Sequence, residues 1–189
     1  MSNVRGPVIS GAALSYRFVL CRASRFVAMN QHLRRKLTLR AHGQQVVFIK
    51  KKQERIEHVW MKAFLWAFYL DAYPGASVEV AIPGRYKPDV VAMDRRRGRP
   101  TFWAEAGHVP ADKLAHLASH YPDTHLAFAK WDTSLAPFVA MVQEALPGAR
   151  PAPIALWRFP PDSAERFVDA KGHVRVDPDY ATRRRIQHA

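Results

Sequence analysis

Two acidic residues stand inside otherwise apolar, strand-like segments of this 189-residue chain. Asp89 lies in a Lys-Pro-Asp-Val-Val segment, where a proline and a charge interrupt the apolar run, and Glu105 lies in Phe-Trp-Ala-Glu-Ala-Gly. Burying an unpaired carboxylate costs several kcal/mol, so each must meet a cation, a metal or hydrogen-bond donors. Two carboxylates on adjacent strands can chelate Mg²⁺, a hard cation that prefers oxygen ligands and can activate a water. The pair therefore predicts a metal site suited to hydrolysis.

The hydrophobic pattern places these acids in an alternation of strands and helices. Residues 53–73 carry apolar side chains at three- and four-residue steps until Pro74 and Gly75, which predicts a central helix. Short apolar runs bounded by glycine and proline predict strands. The predicted order is a hairpin at 37–49, that helix, strands at 77–82, 86–93 and 101–109, a helix at 110–119, a strand at 126–129, a helix at 135–146 and a strand at 154–159. This order predicts a mixed α/β sheet flanked by helices.

The net charge is +13, and it is unevenly placed. Eleven of the 29 basic residues precede Glu54, the first acidic residue, whereas the rest of the chain has 18 basic and 16 acidic side chains. Such an excess indicates a polyanionic partner, with nucleic acid favoured over an acidic membrane surface. A single cysteine excludes an internal disulfide framework and indicates a reducing, cytoplasmic location. No apolar run approaches the roughly 20 residues of a membrane span, so we expect no membrane insertion.

Residues 1–30 carry arginine, serine and alanine but no acid. This composition fits a nonessential or disordered basic extension, a nucleic-acid-binding arm or an organelle targeting segment. We predict an extension at 1–30, a folded domain at 31–165 and a basic C-terminal tail at 166–189. The sequence does not indicate the oligomeric state.

The order of acids and elements resembles the PD-(D/E)XK nuclease superfamily: an acid near the start of a helix, a strand with Pro-Asp, a strand with Glu, then a helix. More narrowly, residues 54–65, 103–107 with the following Pro110 and Lys113, and 154–157 look like the YaeQ family within it. The resemblance spans roughly residues 33–165. It implies a restriction-endonuclease-like mixed β-sheet flanked by helices.

The resemblance also implies roles for individual residues. Asp89 and Glu105 match the two strand acids that bind Mg²⁺ or Mn²⁺, and a glutamate of the first helix completes the site. The family-like pattern favours Glu54 for that glutamate, whereas Glu57 borders the apolar stripe of the helix. The lysine expected two residues after the second acid is replaced by Gly107, as in the YaeQ pattern.

A cation is still needed to orient the attacking water. Lys113 can supply it if its side chain reaches back from the next helix, and Lys87 and His108 are weaker alternatives. The arginines of the turn that follows residue 94 are expected to contact phosphates beside this site. They are Arg95, Arg96, Arg97 and Arg99.

Two classes of function follow. The first is a magnesium-dependent nuclease that cleaves DNA or RNA phosphodiesters. The second is a protein with a nuclease fold that has lost cleavage and binds nucleic acid or a protein partner, as Gly107 suggests. An interaction module of unrelated purpose is a third alternative.

Overall fold

The computed structural model describes residues 36–146 and 148–186, and the predicted extension at 1–30 lies outside them. The described chain begins with an antiparallel hairpin of β1 (Lys36–Ala41) and β2 (Gln44–Ile49). Its two-residue turn, His42 and Gly43, has positive φ at both positions, which matches the twist of the paired strands. The hairpin predicted at 37–49 is confirmed.

Six further strands form one mixed sheet, which confirms the predicted fold class. The strands stand in chain order across the sheet; the β5–β6 and β6–β7 pairs are parallel, and the other three pairs are antiparallel. They are β3 (Ser77–Val78), β4 (Val90–Asp94), β5 (Arg99–Ala106), β6 (His125–Trp131), β7 (Ile154–Phe159) and β8 (Thr182–Ile186). Because the parallel strands are central, β5 and β6 are buried along most of their length.

Helices cover both faces of this sheet. They are α1 (Ile56–Tyr69), α2 (Ala111–His120), α3 (Ala136–Ala145) and the short α4 (Ser163–Phe167). α1 packs on one face, where the sheet presents small residues such as Ala104, Ala127 and Ala155 beneath the large rings of Trp60 and Phe64. α2 and α3 pack on the other face around a second core. Small residues facing large ones fill the space at interior density.

The strands before the acidic site are shorter than predicted. β3 ends at Val78, because the next residue, Glu79, adopts a positive φ of 53° that an extended strand does not allow. β4 begins only at Val90, because Pro88 has no N–H to contribute to a sheet ladder. The backbone between Glu79 and Asp89 is therefore a loop, held closed by a hydrogen bond from the Glu79 N–H to the Asp89 carbonyl.

The chain after residue 165 belongs to the fold, so the predicted tail at 166–189 is wrong over its described part. Residues 182–186 form β8 and pair with β7, and the backbone of His173 and Val174 contacts Arg40 in β1. A Thr-Arg-Arg-Arg-Ile strand lacks the apolar alternation by which strands are recognised. None of the helices within the described ranges is long and apolar enough to cross a membrane.

Candidate active site

The two strand acids lie at the same end of the β4–β5 hairpin. Asp89 immediately precedes β4, and Glu105 is the last but one residue of β5. The antiparallel register pairs Val90 with Ala104. Asp89 precedes Val90 and Glu105 follows Ala104, so both acids lie on the same side of this pair. The charge of Asp89 raises the pKa of Glu105, as expected of electrostatic neighbours. The hairpin thus brings the predicted acids together.

Asp89 is held as a carboxylate by two donors. Its Oδ2 accepts a 2.8 Å hydrogen bond from the Ala106 N–H and lies 3.4 Å from His58 Nε2. Burial alone would raise the pKa of Asp89, but the contacts with His58 and the Ala106 N–H outweigh it, so the pKa lies below its ordinary value. Asp89 therefore carries its charge at neutral pH.

Glu105 is 5% exposed and meets a cation from the next helix. Its Oε1 accepts hydrogen bonds from Trp103 Nε1 and from Lys113 Nζ, both at 2.7 Å. Burial raises the pKa of Glu105, Asp89 raises it further, and the two donors offset only part of that rise. Lys113 lies on α2, so its side chain does reach back over the end of the strand. Its role in chemistry remains a prediction.

Of the two glutamates considered for the third position, Glu54 joins the cluster. It precedes α1, which begins at Ile56. Glu54 was expected within the helix and instead lies just before it. Its Oε1 lies 3.0 Å from His58 Nδ1 and 2.6 Å from Lys62 Nζ, and its Oε2 accepts the backbone N–H of Lys51. Burial would raise the pKa of Glu54, but these donors lower it below its usual range. Glu57 instead pairs with Arg55.

Lys62 is a buried cation that the sequence analysis missed. It is 1% exposed, and its ammonium contacts Glu54 and Glu79, whose backbone has the positive φ noted above. Burial would lower the pKa of Lys62, but the two carboxylates outweigh it and the pKa is raised. A lysine within a helix that is apolar on nearly all sides was the available signal, because such a side chain needs a buried partner.

His58 was also missed as a member of the site. One ring nitrogen faces Glu54 and the other faces Asp89, at 3.0 and 3.4 Å. The contact with Asp89 raises the pKa of His58, although burial opposes the rise. With a carboxylate at each nitrogen, the doubly protonated ring is favoured, because only that form donates from both. His58 thus connects α1 to the β4–β5 hairpin.

Of the other predicted residues, His108 lines a cleft together with Glu54 and His58, whereas the turn with the arginines lies apart from the acids. Lys87 and His108 are exposed, whereas Lys113 is the cation that touches Glu105. The turn carrying Arg95, Arg96, Arg97 and Arg99 is at the opposite end of the β4–β5 hairpin. At about 3.3 Å per residue it is about 20 Å from Asp89 along β4. The expectation that these arginines lie beside the site is wrong, because the lengths of β4 and β5 separate this turn from the acids.

A cleft of about 760 Å³ opens beside the acidic cluster. Glu54 and His58 line it from α1, and Ala106 and Gly107 line it from the end of β5. Its opposite wall comes from the end of β6 and from α3, and includes Lys130. The cleft therefore gives a ligand of moderate size access to the side of the cluster formed by Glu54 and His58.

The donor set favours a hard cation over a soft one. In the described ranges no three histidine, cysteine or acidic residues form a group able to hold a metal ion. The contacts of Asp89 engage Oδ2 and those of Glu105 engage Oε1, so the second oxygen of each carboxylate has no partner among the described residues. Two carboxylates with a free oxygen each fit Mg²⁺ or Mn²⁺, for which waters commonly complete the coordination.

The geometry defines a mixed α/β protein with an ionic cluster at one end of its sheet. No protein-family model matches the chain, and no curated protein matches it. Similar solved structures include the YaeQ protein from Xanthomonas axonopodis pv. citri, with 10% identity, a TM-score of 0.49 and coverage of 70% of this chain and 76% of that one. The YaeQ protein from Pseudomonas syringae has 17% identity, a TM-score of 0.49 and coverage of 78% and 89%. Both of these solved structures are YaeQ proteins.

Proposed function

We propose that this protein is a YaeQ-like member of the PD-(D/E)XK nuclease superfamily, which hydrolyses DNA or RNA phosphodiesters with Mg²⁺ or Mn²⁺. The observation that carries the proposal is the contact between Lys113 Nζ and the buried carboxylate of Glu105, beside the ionised Asp89. Asp89 and Glu105 meet at the ends of adjacent strands, where Lys113 reaches Glu105, and their neighbours His58 and Ala106 line an open cleft.

Asp89 and Glu105 would hold the metal ion. When bound, the ion would lower the pKa of a coordinated water and offset the charge of the phosphate. Without a cation, the paired acids would repel the phosphate that they are supposed to serve. Burial raises the pKa of Glu105, and the charge of Asp89 raises it further, so a cation held between the two acids would favour the ionised form of Glu105.

The remaining residues of the cluster position these groups. Lys113 keeps a positive charge next to Glu105, where it can orient a water or stabilise charge on the phosphate. His58 holds Asp89 from the helix side, and Lys62 fixes Glu54, which in turn orients His58. The site is therefore supported by α1 on one side and α2 on the other.

Cleavage of labelled DNA and RNA strands and duplexes, with Mg²⁺ or Mn²⁺ and with a chelator, tests the proposal. We expect metal-dependent cleavage by the wild type, none by Asp89→Asn or Glu105→Gln, and a loss of about 10²- to 10³-fold in Lys113→Met. Binding should survive the acid substitutions, because removing negative charge favours a phosphate. The matched controls Asp71→Asn and Lys171→Met, both at exposed positions, should keep full activity.

A binding-only protein is the second candidate. It is favoured by the internal pairing of the cluster, in which Asp89 faces His58 and Glu105 faces Lys113. Such pairs can also serve as structural links between helices and sheet. Nucleic-acid binding without cleavage in any metal would select this candidate, and cleavage that persists in Asp89→Asn and Glu105→Gln would contradict the proposed site.

A further inference from the structure

Lys130 lines the cleft and has no contact with the acidic cluster. Lys130 is the last but one residue of β6, next to Ala129, which pairs with Ala106 of β5. Its ammonium donates a 2.6 Å hydrogen bond to the Gly107 carbonyl and lies 4.2 Å from the centre of the Phe138 ring. Within the described ranges no carboxylate comes within ion-pair distance of it.

This ammonium retains capacity for a ligand. A lysine has three N–H donors, and one carbonyl uses one of them. The ring of Phe138 stabilises the positive charge but adds no acceptor of ordinary strength. Burial lowers the pKa of Lys130, which shows that its neighbours compensate the charge incompletely. An anion entering the cleft would supply the negative charge and the hydrogen-bond acceptors that these neighbours lack.

The walls of the cleft around Lys130 are largely apolar. Met61, Phe138 and Met141 contribute thioether and aromatic surface, and Trp131 borders the same space. Methionine and aromatic side chains pack well against flat ring systems. The cleft thus combines one cation that lacks an acidic partner with surfaces suited to a planar apolar group.

We propose that this cleft receives an unpaired nucleotide of the substrate strand, with Lys130 bound to its phosphate and the apolar wall against its base. The inference rests on the proposed function and specifies the class of substrate. A single strand offers both a phosphate and an open base face, and proteins that bind single strands combine basic and stacking groups in this way. A duplex offers the phosphates but keeps its base faces stacked.

The first test compares two probes on the full chain in the presence of a chelator, which prevents cleavage. The probes are a fluorescein-labelled strand of about 12 thymidines and a labelled duplex of equal length, within the range of a small single-strand site. Fluorescence anisotropy should show the strand bound at least about tenfold more tightly than the duplex. Equal affinity, or tighter binding of the duplex, would overturn the inference.

The second test removes the charge. Lys130→Met should weaken binding of the strand about tenfold and leave binding of the duplex unchanged, whereas Lys130→Arg should retain most of the affinity. The control Lys171→Met removes an exposed charge on the loop before β8 and should change neither affinity. Unchanged strand binding in a folded Lys130→Met protein would contradict the assignment.

A measurement on the wild type covers the case in which Lys130→Met does not fold. In lysine-labelled protein, the NMR signal of the Lys130 side chain should shift on addition of the thymidine strand, and that of Lys171 should not. A strand that binds without shifting the Lys130 signal would also overturn the inference. Lys130-dependent strand binding without cleavage would leave the inference standing and defeat the proposed function. Metal-dependent cleavage, with strand binding that does not depend on Lys130, would support the proposed function and overturn the inference.

Discussion

At the scale of single residues, His58 joins two carboxylates that belong to different parts of the chain. Glu54 comes from the segment before α1, and Asp89 comes from the loop before β4. Lys62 joins Glu54 to Glu79 in a parallel arrangement, one helical turn further along α1. The helix therefore contacts the acidic end of the sheet through two basic side chains, His58 and Lys62, and each has two acidic partners.

The His58 contacts predict a measurable change in its protonation. Because Asp89 raises the pKa of His58, Asp89→Asn should move that pKa back toward the ordinary value of histidine, about 6.5. The sign for stability follows, since a raised folded pKa means that the folded protein holds the proton more tightly than the unfolded chain. The contact therefore stabilises fully below about pH 6.5 and loses its effect as pH rises through the folded pKa. NMR titration of the histidine signals measures the pKa of His58 in the wild type and in Asp89→Asn.

Asp71→Asn is the control for this titration, because Asp71 is exposed beyond the end of α1 and near His42 rather than His58. It should leave the His58 titration unchanged. A His58 pKa that is equal in the wild type and in Asp89→Asn would contradict the bridging geometry.

The sequence indicated the site residues whose burial conflicts with their charge. Asp89 and Glu105 interrupt apolar segments, and Lys113 follows the second acid at a distance that a turn and a helix can bridge. Their meeting in space is a finding of the structure. Glu79 gave no such signal, because its partner Lys62 is 17 residues away in the chain. His58 is four residues from Glu54, but its contact with Asp89 spans 31 residues. Long-range pairing of this kind is set by packing and leaves no local pattern.

At the scale of elements, the β4–β5 hairpin and α1 determine where the acids lie. The hairpin brings the start of β4 next to the end of β5, and α1 crosses the alanine-rich face of the same strands. Elements with strong periodicity, such as α1 and β7, were predicted from the sequence, because their apolar residues face a core. β8 was missed, since three consecutive arginines occupy an edge strand where burial imposes no alternation.

The contact between the β1–β2 hairpin and the C-terminal loop depends on Gly172. This glycine has a φ of 79°, and its carbonyl accepts a hydrogen bond from the Arg40 N–H. A Cβ at this position would lie 2.6 Å from the Thr38 carbonyl oxygen, which is backbone and cannot rotate away. The hairpin and the loop approach each other too closely for any side chain there.

Gly172→Ala should therefore lower the free energy of unfolding by about 1–3 kcal/mol, through the positive φ and the clash together. Gly75→Ala is the matched control, because a Cβ there meets nothing within 4 Å, and its effect should stay within about 0.5 kcal/mol. Urea unfolding measures the free energy of unfolding of both variants. Equal stability of the two variants would contradict the close contact between the β1–β2 hairpin and the loop with Gly172.

At the scale of the whole molecule, the excess positive charge and the acids of the cluster come from different segments of the sequence. The basic excess lies before residue 54, whereas the four acids of the cluster lie between residues 54 and 105. Further arginines stand on β8, where Arg184 and Arg185 line a second cleft with α3. The nucleic-acid binding proposed above therefore has more than one basic segment as a candidate, and its location needs a direct test.

Deletion of residues 1–30 removes Arg5, Arg17, Arg22 and Arg25 and provides that test. We expect the salt dependence of single-strand binding to persist, because the cleft with Lys130 lies within the described fold. If all four arginines neutralised phosphates, the slope of log K against log salt would fall by about 3, at about 0.7 per contact. Such a fall would place binding mainly on the N-terminal segment.

The most direct test of the central claim is a crystal structure with bound Mn²⁺, located by its anomalous scattering. We expect one Mn²⁺ with carboxylate oxygens of both Asp89 and Glu105 at about 2.0–2.6 Å, and no ion there in Glu105→Gln. The two carboxylates should lie about 3–5 Å apart, as shared coordination requires. An absent Mn²⁺ peak at saturating concentration, or carboxylates more than about 9 Å apart, would contradict a metal-dependent site.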